Sequence, residues 1–316
     1  MKKLDERTVE GWLSERAEIR TAFAGDGAFT VKTMEPIEKG WSGDEKYRLT
    51  DRNGKAFFFR TAPAEKKEKA RGAFLLQEKA AGLGVSAPKP FLFGKGGKTV
   101  FSLQEWIGGE DAEKAVASLS REEQYALGHA AGEDLRKLHA LPAPPEAPSW
   151  ETRYGGKIDR KLRMYADCPL KYEDDGAILA YIAENRGLIA GRPQCAQHGD
   201  FHIGNMMTDR KRIWLVDFDR FDFGDPWEEY NRVVWSAEAS PAFAAGSVDG
   251  YFGGEVPDEF WRLLALYIAV NTLSSLPWAV PFGEGEIETM KNQEKKILFW
   301  YDGMKKTVPA WYGGEG

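Results

Sequence analysis

His198-Gly199-Asp200-Phe201-His202-Ile203-Gly204-Asn205, followed by Ile213-Trp214-Leu215-Val216-Asp217-Phe218-Asp219, is the stretch on which the reading of this chain turns. Asp200 and Asn205 stand five residues apart, and Asp217 comes twelve residues after Asn205, behind an apolar run. The interval Met206 to Asp217 has the pattern of a short hairpin turning near Asp209-Arg210-Lys211, so both ends of the interval are expected to converge. A carboxylate can orient and deprotonate an attacking hydroxyl. A carboxamide and a second carboxylate offer hard oxygen ligands that hold Mg²⁺ against phosphates. Phosphoryl transfer needs both kinds of group, and five residues from Asp to Asn is the spacing of a kinase catalytic loop.

Working outward, the chain reads as a small strand-rich lobe, one connector and then a larger helical lobe. Val9, Trp12, Leu13 and Arg16 predict a first helix. Strands are expected around Phe29–Glu38, Lys46–Asp51 and Ala56–Thr61, the last two joined by the hairpin turn Arg52-Asn53-Gly54. Residues 64–83 have helical composition and stop at Gly82 and Gly84. Two further strands fit Phe91–Phe93 and Thr99–Trp106, split by Gly94-Lys95-Gly96-Gly97-Lys98. Ser120 and Glu123 form a capping box for a helix running to Leu141. A Pro-rich loop covers 142–148, another helix is expected over 172–190, and the chain is mostly helical after Pro226. The domain reading is a small lobe over 1–104, a connector at 105–109 and a larger helical lobe over 110–316.

Composition sets bounds on this picture. The 316 residues suffice for two lobes, and 42% hydrophobic with 29% charged residues is ordinary for a globular chain. Only Cys168 and Cys195 are present, which fits a reducing cytoplasm better than a secreted scaffold. The basic start lacks the apolar stretch of a signal peptide, and no run of about 18 apolar residues is evident, so no membrane association is expected. The net charge of −6 is uneven: residues 1–104 carry 20 Lys and Arg against 14 Asp and Glu, and the remainder carries 23 against 35. Residues 221–260 hold nine acids and a single base, Arg232. A basic first part suits an anion and an acidic second part a cation, while nucleic-acid binding is not expected.

The motifs HGDFHIGN and DFDRFDFGDP resemble those of the aminoglycoside phosphotransferase and choline kinase family of kinase-like enzymes. That family writes its catalytic loop HGD-x-x-x-x-N and follows it with an acidic motif beginning Asp-Phe or Asp-Leu. The resemblance implies an α+β fold of two lobes, with an antiparallel sheet in the first and nucleotide in the cleft. It implies Asp200 as catalytic base, Asn205 and Asp217 as Mg²⁺ ligands, and ATP or GTP as phosphate donor. Gly40 to Lys46 lies where such a fold places its phosphate-covering loop, so Ser42 and Gly43 are expected at the phosphates. The family usually has a lysine on the third strand that contacts phosphate and pairs with a helix glutamate. Here Arg60 stands at that place. Glu78 and Glu68 are candidate partners, and the closest register puts Ala73 at the expected position. Gln104 to Gly109 matches the hinge, where main-chain groups of Glu105 and Ile107 would meet the purine.

Other residues have plainer readings beside these. His198 and His202 are read as shaping the loop, since they lack the partner spacing of a zinc site. Asp219 either assists the metal or bonds backbone, and Asp225-Pro226 is read as fixing the start of the following helix. Asp222, Glu228 and Glu229 are candidates to attract an amine-bearing acceptor. Trp227, Trp235 and Trp261 serve either stacking or core packing. The resemblance then implies an aminoglycoside-like or other amino-containing hydroxyl compound as acceptor, with antibiotic inactivation as one consequence. Choline or a sugar is an alternative acceptor, and a nucleotide-binding regulator without catalysis an alternative function. HGD in place of HRD, without an Ala-Pro-Glu segment, argues against a protein kinase.

Overall fold

A computed structural model of the chain describes residues 4–16, 29–38 and 43–313. The chain forms two compact units. One runs to Gly109 and includes Val216–Asp219; the other comprises Glu110–Leu215 and the residues from Arg220 onward. The sequence reading placed all of 110–316 in one lobe. The four residues 216–219 belong with the first unit instead, because Asp217 and Asp219 pair with its cations, as described below.

In the first unit, helix α1 (Glu6–Ser14) starts at Asp5, whose carboxylate accepts the amide of Thr8. Strands β1 (Val31–Pro36), β2 (Glu45–Asp51), β3 (Ala56–Pro63), β4 (Pro90–Gly96) and β5 (Thr99–Glu105) make one antiparallel sheet ordered β1-β2-β3-β5-β4. Helix α2 (Lys67–Gly82) connects β3 to β4. The period-2 alternation of a strand divides the side chains between two faces. Tyr47, Leu49, Phe57, Phe59, Phe101 and Leu103 pack with Val9 and Leu13 of α1 in one buried cluster. Lys46 and Arg48 of β2 alternate with Tyr47 and Leu49, and Phe58 and Arg60 alternate with Phe57 and Phe59, so these four share the other face. The β2–β3 register sets Lys46 directly opposite Arg60. The turn between these strands forms as Asn53-Gly54 predicts: Asp51 accepts the amides of Asn53 and Lys55, and Gly54 takes φ +83°.

One strand is longer than its composition suggests. Gly94 and Gly96 read as part of a turn, yet both lie inside β4. A methyl group at Gly94 would stand 2.6 Å from the Phe101 ring, and one at Gly96 would stand 2.2 Å from the Trp12 ring. These glycines admit aromatic rings over the strand, and the reversal itself needs only Gly97 and Lys98.

The second unit begins with β6 (Glu110–Asp111), α3 (Ala112–Ala115) and α4 (Arg121–Leu138), the last entered through the expected Ser120–Glu123 capping box. Helix α5 (Trp150–Asp167) follows the Pro-rich loop and is missing from the sequence reading. Ser149 caps it and Trp150, Tyr154, Ile158 and Tyr165 form its buried stripe, but Gly155-Gly156 and a run of basic residues obscure the period. Helix α6 is only Asp175–Asn185, with a 3₁₀ turn to Ile189. Next come β7 (Cys195–Gln197), β8 (Met206–Thr208), β9 (Ile213–Leu215) and β10 (Asp222–Gly224), then α7 (Val233–Ala239), α8 (Pro241–Phe252), α9 (Asp258–Ala279) and α10 (Glu284–Trp300). β6, β8 and β9 form one small sheet, with β8 and β9 as the expected hairpin; β7 pairs with β10. Contrary to the expectation from the sequence, the stretch Asp258–Phe282 is long and apolar enough to cross a membrane by length and composition. It is apolar on all sides because it is a core helix: 72% of that apolar window is buried within the fold. Cys168 and Cys195 are both buried and unbonded to each other.

Helices α4 and α8 meet backbone to backbone. Gly128 and Gly132 on one, and Gly246 and Gly250 on the other, each lie against the partner helix's main chain; a methyl at Gly250 would stand 2.0 Å from the His129 carbonyl oxygen. Gly250→Ala should therefore cost about 1–3 kcal/mol or more in urea unfolding, as overpacked sites do. Gly156→Ala, on α5 with open space around it, should be neutral or stabilise by up to about 1 kcal/mol. Equal effects would contradict the close crossing.

Candidate active site

The loop after β7 is held in shape by its own unit. Gly199 adopts φ +82°, and a methyl group there would stand 1.8 Å from the Arg220 carbonyl oxygen, so conformation and space both demand glycine. Its amide donates to Glu229 Oε1 at 2.8 Å. His202 caps the short turn Ile203–Asn205 by accepting the Gly204 amide on Nδ1 at 3.1 Å. Its Nε2 lies 3.8 Å from Asp200 Oδ1 and 3.3 Å from Asn205 Nδ2. Burial pushes the His202 pKa down to about 4, so the ring is neutral near pH 7 and shapes the loop, in line with its sequence reading. Asn205 donates Nδ2 to the Asp200 carbonyl at 3.0 Å. With its nitrogen spent on the loop, Oδ1 is the atom that Asn205 offers to a cation.

Asp200 sits among positive charges. Arg232 Nε is 2.7 Å from Oδ1 and Arg220 Nε is 3.6 Å from Oδ2. The Arg232 contact is a close ion pair without aligned hydrogen-bond geometry. Burial alone would raise the pKa of this carboxyl, but the neighbouring cations, Arg232 foremost, outweigh it and hold the pKa below the usual carboxylate value. Asp200 is therefore ionised across the physiological range.

The first unit gathers the other charged groups. Arg60 donates Nε and Nη2 to Asp44 Oδ2 at 3.0 and 2.7 Å, and Nη1 to Asp217 Oδ1 at 3.4 Å. Its Nη2 also pairs with Asp219. Lys46 Nζ lies 4.0 Å from Asp217 Oδ2, and Lys66 pairs with Asp44 at 2.7 Å. Asp217 adopts φ +64°, a backbone state uncommon for non-glycine residues and one in which aspartate is enriched. The acidic partner of Arg60 that the sequence left open is thus Asp44. Glu68 and Glu78 of α2 are exposed, and Ala73 is buried without a charge to offer.

The remaining expected residues fall as follows. Ser42, with Gly40 and Trp41, lies outside the described residues; Gly43 adopts φ +69° immediately before Asp44. Glu105 spends its amide on the Lys89 carbonyl at 2.8 Å, inside the sheet, and Ile107 lies just past the strand end. Asp225 is fully buried, accepting Arg192, Tyr267 and the Trp227 amide, so it fixes local structure as expected. Trp261 is a core residue, and Arg192 lies over Trp227. The acids read as attracting an amine are occupied: Asp222 pairs with Arg153, Glu228 with Lys157, and Glu229 holds the Gly199 amide. Sequence reasoning missed Lys46, Asp44 and Arg232. Arg232 carried a signal, as the single base in the acidic run 221–260.

Asn205 Oδ1 in the second unit and the Asp217 carboxylate in the first are each hard oxygen donors of the kind a magnesium ion takes. Among the described residues no three His, Cys, Asp or Glu side chains gather into a metal cage. Mg²⁺ keeps waters and phosphate oxygens and takes one or two protein carboxylates.

Comparison with known proteins agrees with this chemistry. Residues 33–262 match the phosphotransferase enzyme family. No curated protein matches the sequence. Among solved structures, a choline/ethanolamine kinase family protein from Mesorhizobium loti is similar at TM-score 0.63 and 18% identity, covering 98% of this chain and 99% of that one. The amicoumacin kinase hAmiN, in complex with AMP-PNP, Ca²⁺ and Ami, has TM-score 0.61 and 15% identity, covering 87% and 90%. A thermostable mutant of aminoglycoside phosphotransferase APH(4)-Ia, in a ternary complex with ADP and hygromycin B, has TM-score 0.61 and 16% identity, covering 85% and 94%. At such identities the likeness establishes a shared kinase-like fold.

The anchor of the loop is open to test. Glu229→Ala leaves the Gly199 amide without its acceptor and should cost about 1–3 kcal/mol of stability, the usual penalty for an orphaned buried donor. Glu229→Gln retains an acceptor oxygen and should recover most of that loss in thermal unfolding. A Gln variant as unstable as the Ala variant would contradict the hydrogen-bond role.

Proposed function

The chain belongs to the phosphotransferase enzyme family, and on that premise we propose that it transfers the terminal phosphate of ATP or GTP, with Mg²⁺, to a hydroxyl of a small molecule in the cytoplasm. The observation that carries this reading is a half-buried, ionised Asp200 on a loop whose shape is fixed by Glu229, His202 and Asn205. In the reaction the acceptor oxygen bonds to the terminal phosphorus as the bond from that phosphorus to the bridging oxygen breaks, leaving the nucleoside diphosphate. Asp200 orients the hydroxyl and receives its proton. A carboxylate of low proton affinity suits a loose transition state, in which positioning matters more than early deprotonation.

Asn205 Oδ1 and the Asp217 carboxylate are the proposed metal ligands. The bound ion would neutralise charge on the phosphate oxygens. Arg60 and Lys46, opposite one another on β3 and β2, are the proposed phosphate-binding cations, so one role is divided between two strands. Asp44 holds the Arg60 guanidinium in place through two of its nitrogens. Gly43 and Ser42 are the proposed backbone donors to the phosphates, and the main chain at Glu105 and Ile107 the proposed purine contact. The proposed acceptor is an amine-bearing hydroxyl compound, in keeping with the acidic composition of 221–260, where Asp222, Glu228 and Glu229 are bonded to Arg153, Lys157 and the Gly199 amide.

Turnover of ATP and GTP across a panel of hydroxyl compounds, read as a mass gain of one phosphate, tests the reading. Nucleotide binding with no transfer to any compound would favour the regulator alternative. Asp217→Ala should abolish productive Mg²⁺–nucleotide binding, and Lys46→Met should weaken nucleotide affinity by about tenfold, the scale of one charge-assisted contact. Unchanged nucleotide affinity in both variants would contradict the assigned roles.

A further inference from the structure

Helices α4 and α8, which cross closely at their glycines, border a cavity of about 350 Å³ together with Trp311, Tyr312 and Gly313 of the C-terminal segment. Asp200 and the groups that shape its loop are not among the lining residues. A cavity of this volume is at the lower end of the range that takes a small organic molecule.

Asp249 of α8 is the polar centre of the lining. It accepts the Tyr125 hydroxyl on Oδ2 at 2.8 Å and the Tyr312 hydroxyl on Oδ1 at 2.5 Å. Burial first, and then the bond to Asp249, raise the pKa of both phenols, so both hydroxyls stay protonated as donors. Each oxygen of a carboxylate can accept more than one hydrogen bond, so Asp249 keeps acceptor capacity on both. Tyr312 is itself packed on Trp261, with ring centroids 4.4 Å apart, which holds its hydroxyl in place.

A second observation concerns Trp311. It lines the same cavity, is 1% exposed, and its indole N–H has no acceptor. Buried donors are nearly always paired, and leaving one unpaired costs stability. The lining therefore offers acceptor capacity at Asp249 and an unmet donor at Trp311. Glu122 adds a second carboxylate against one guanidinium, Arg121, and the Tyr125 ring is exposed. Carboxylates beside aromatic faces suit a cation, while Pro241 and Ala245 give the cavity apolar surface.

We propose that this cavity binds an organic ammonium ion with an apolar body. The ammonium donates to Asp249 beside Tyr125 and Tyr312, the body lies against Pro241 and Ala245, and an oxygen of the ligand accepts the Trp311 indole N–H. The site is separate from Asp200 and does not rest on the phosphotransferase reading.

The test is calorimetric binding to the full-length protein without nucleotide, using phenylethanolamine, phenylethanediol and mandelate. The three share an aryl body and a hydroxyl and end in an ammonium, a neutral hydroxyl and a carboxylate. Saturable binding of phenylethanolamine, at least about tenfold tighter than either of the others, is expected, the scale of one charge-assisted contact. Asp249→Asn keeps the shape and loses the charge, and should weaken that binding by about tenfold or more. Ala245→Leu fills the cavity without altering Asp249, and should abolish binding with the melting temperature kept. This second variant decides the matter if Asp249→Asn fails to fold. No binding of phenylethanolamine, or equal binding of the diol or mandelate, would overturn the proposal. Binding unaltered by either substitution would place the amine elsewhere and overturn it as well.

Discussion

The contact between Arg232 and Asp200 is the constraint from which the chemistry of the second unit follows. A carboxyl half-buried as this one is leans toward the neutral form. Arg232, reinforced by Arg220, reverses that preference. The arrangement works only if the loop holds Asp200 in place, which explains the other buried groups around it. Glu229 takes the Gly199 amide, Gly199 lets the Arg220 backbone approach, and the Asn205 amide nitrogen is tied to the Asp200 carbonyl. Each of these acids and amides looks like surface chemistry in the sequence and is interior wiring in the fold.

In the first unit the corresponding constraint is repulsion. Two cations directly opposite one another on neighbouring strands destabilise a sheet unless anions lie between them. Asp217 approaches both Lys46 and Arg60, while Asp44 and Asp219 pair with Arg60. Asp217 adopts a left-handed backbone there, and residues 216–219 belong to this unit.

Much of the fold was legible because its signals are local. The Asn53-Gly54 turn, the Ser120–Glu123 capping box and the hairpin after Asn205 each depend on a few adjacent residues, and each formed as read. Glycines misled where they serve packing: Gly94 and Gly96 lie beneath aromatic rings, and Gly155-Gly156 interrupts the composition of α5 without breaking the helix. Loop residues such as Asp200 and Asn205 could be picked out because their spacing along the chain carries chemistry. Lys46 and Asp44 could not, since their partners are distant in sequence and only strand register or loop closure brings them together, and Arg232 stood out only as the single base of 221–260. Composition says least about the acceptor. Nine acids in 221–260 suggested a negative surface, but several of them are bonded inside the unit, and the region's lone base faces Asp200.

The most direct test of the account is a single-turnover measurement of phosphate transfer from terminally labelled ATP, comparing the native chain with Asp200→Asn. The asparagine is nearly isosteric but can neither carry the charge nor accept the proton. The account predicts label in the acceptor for the native chain and transfer slowed by at least about a hundredfold in the variant, with Mg²⁺–nucleotide affinity unchanged. Transfer at a comparable rate without the carboxylate would contradict it.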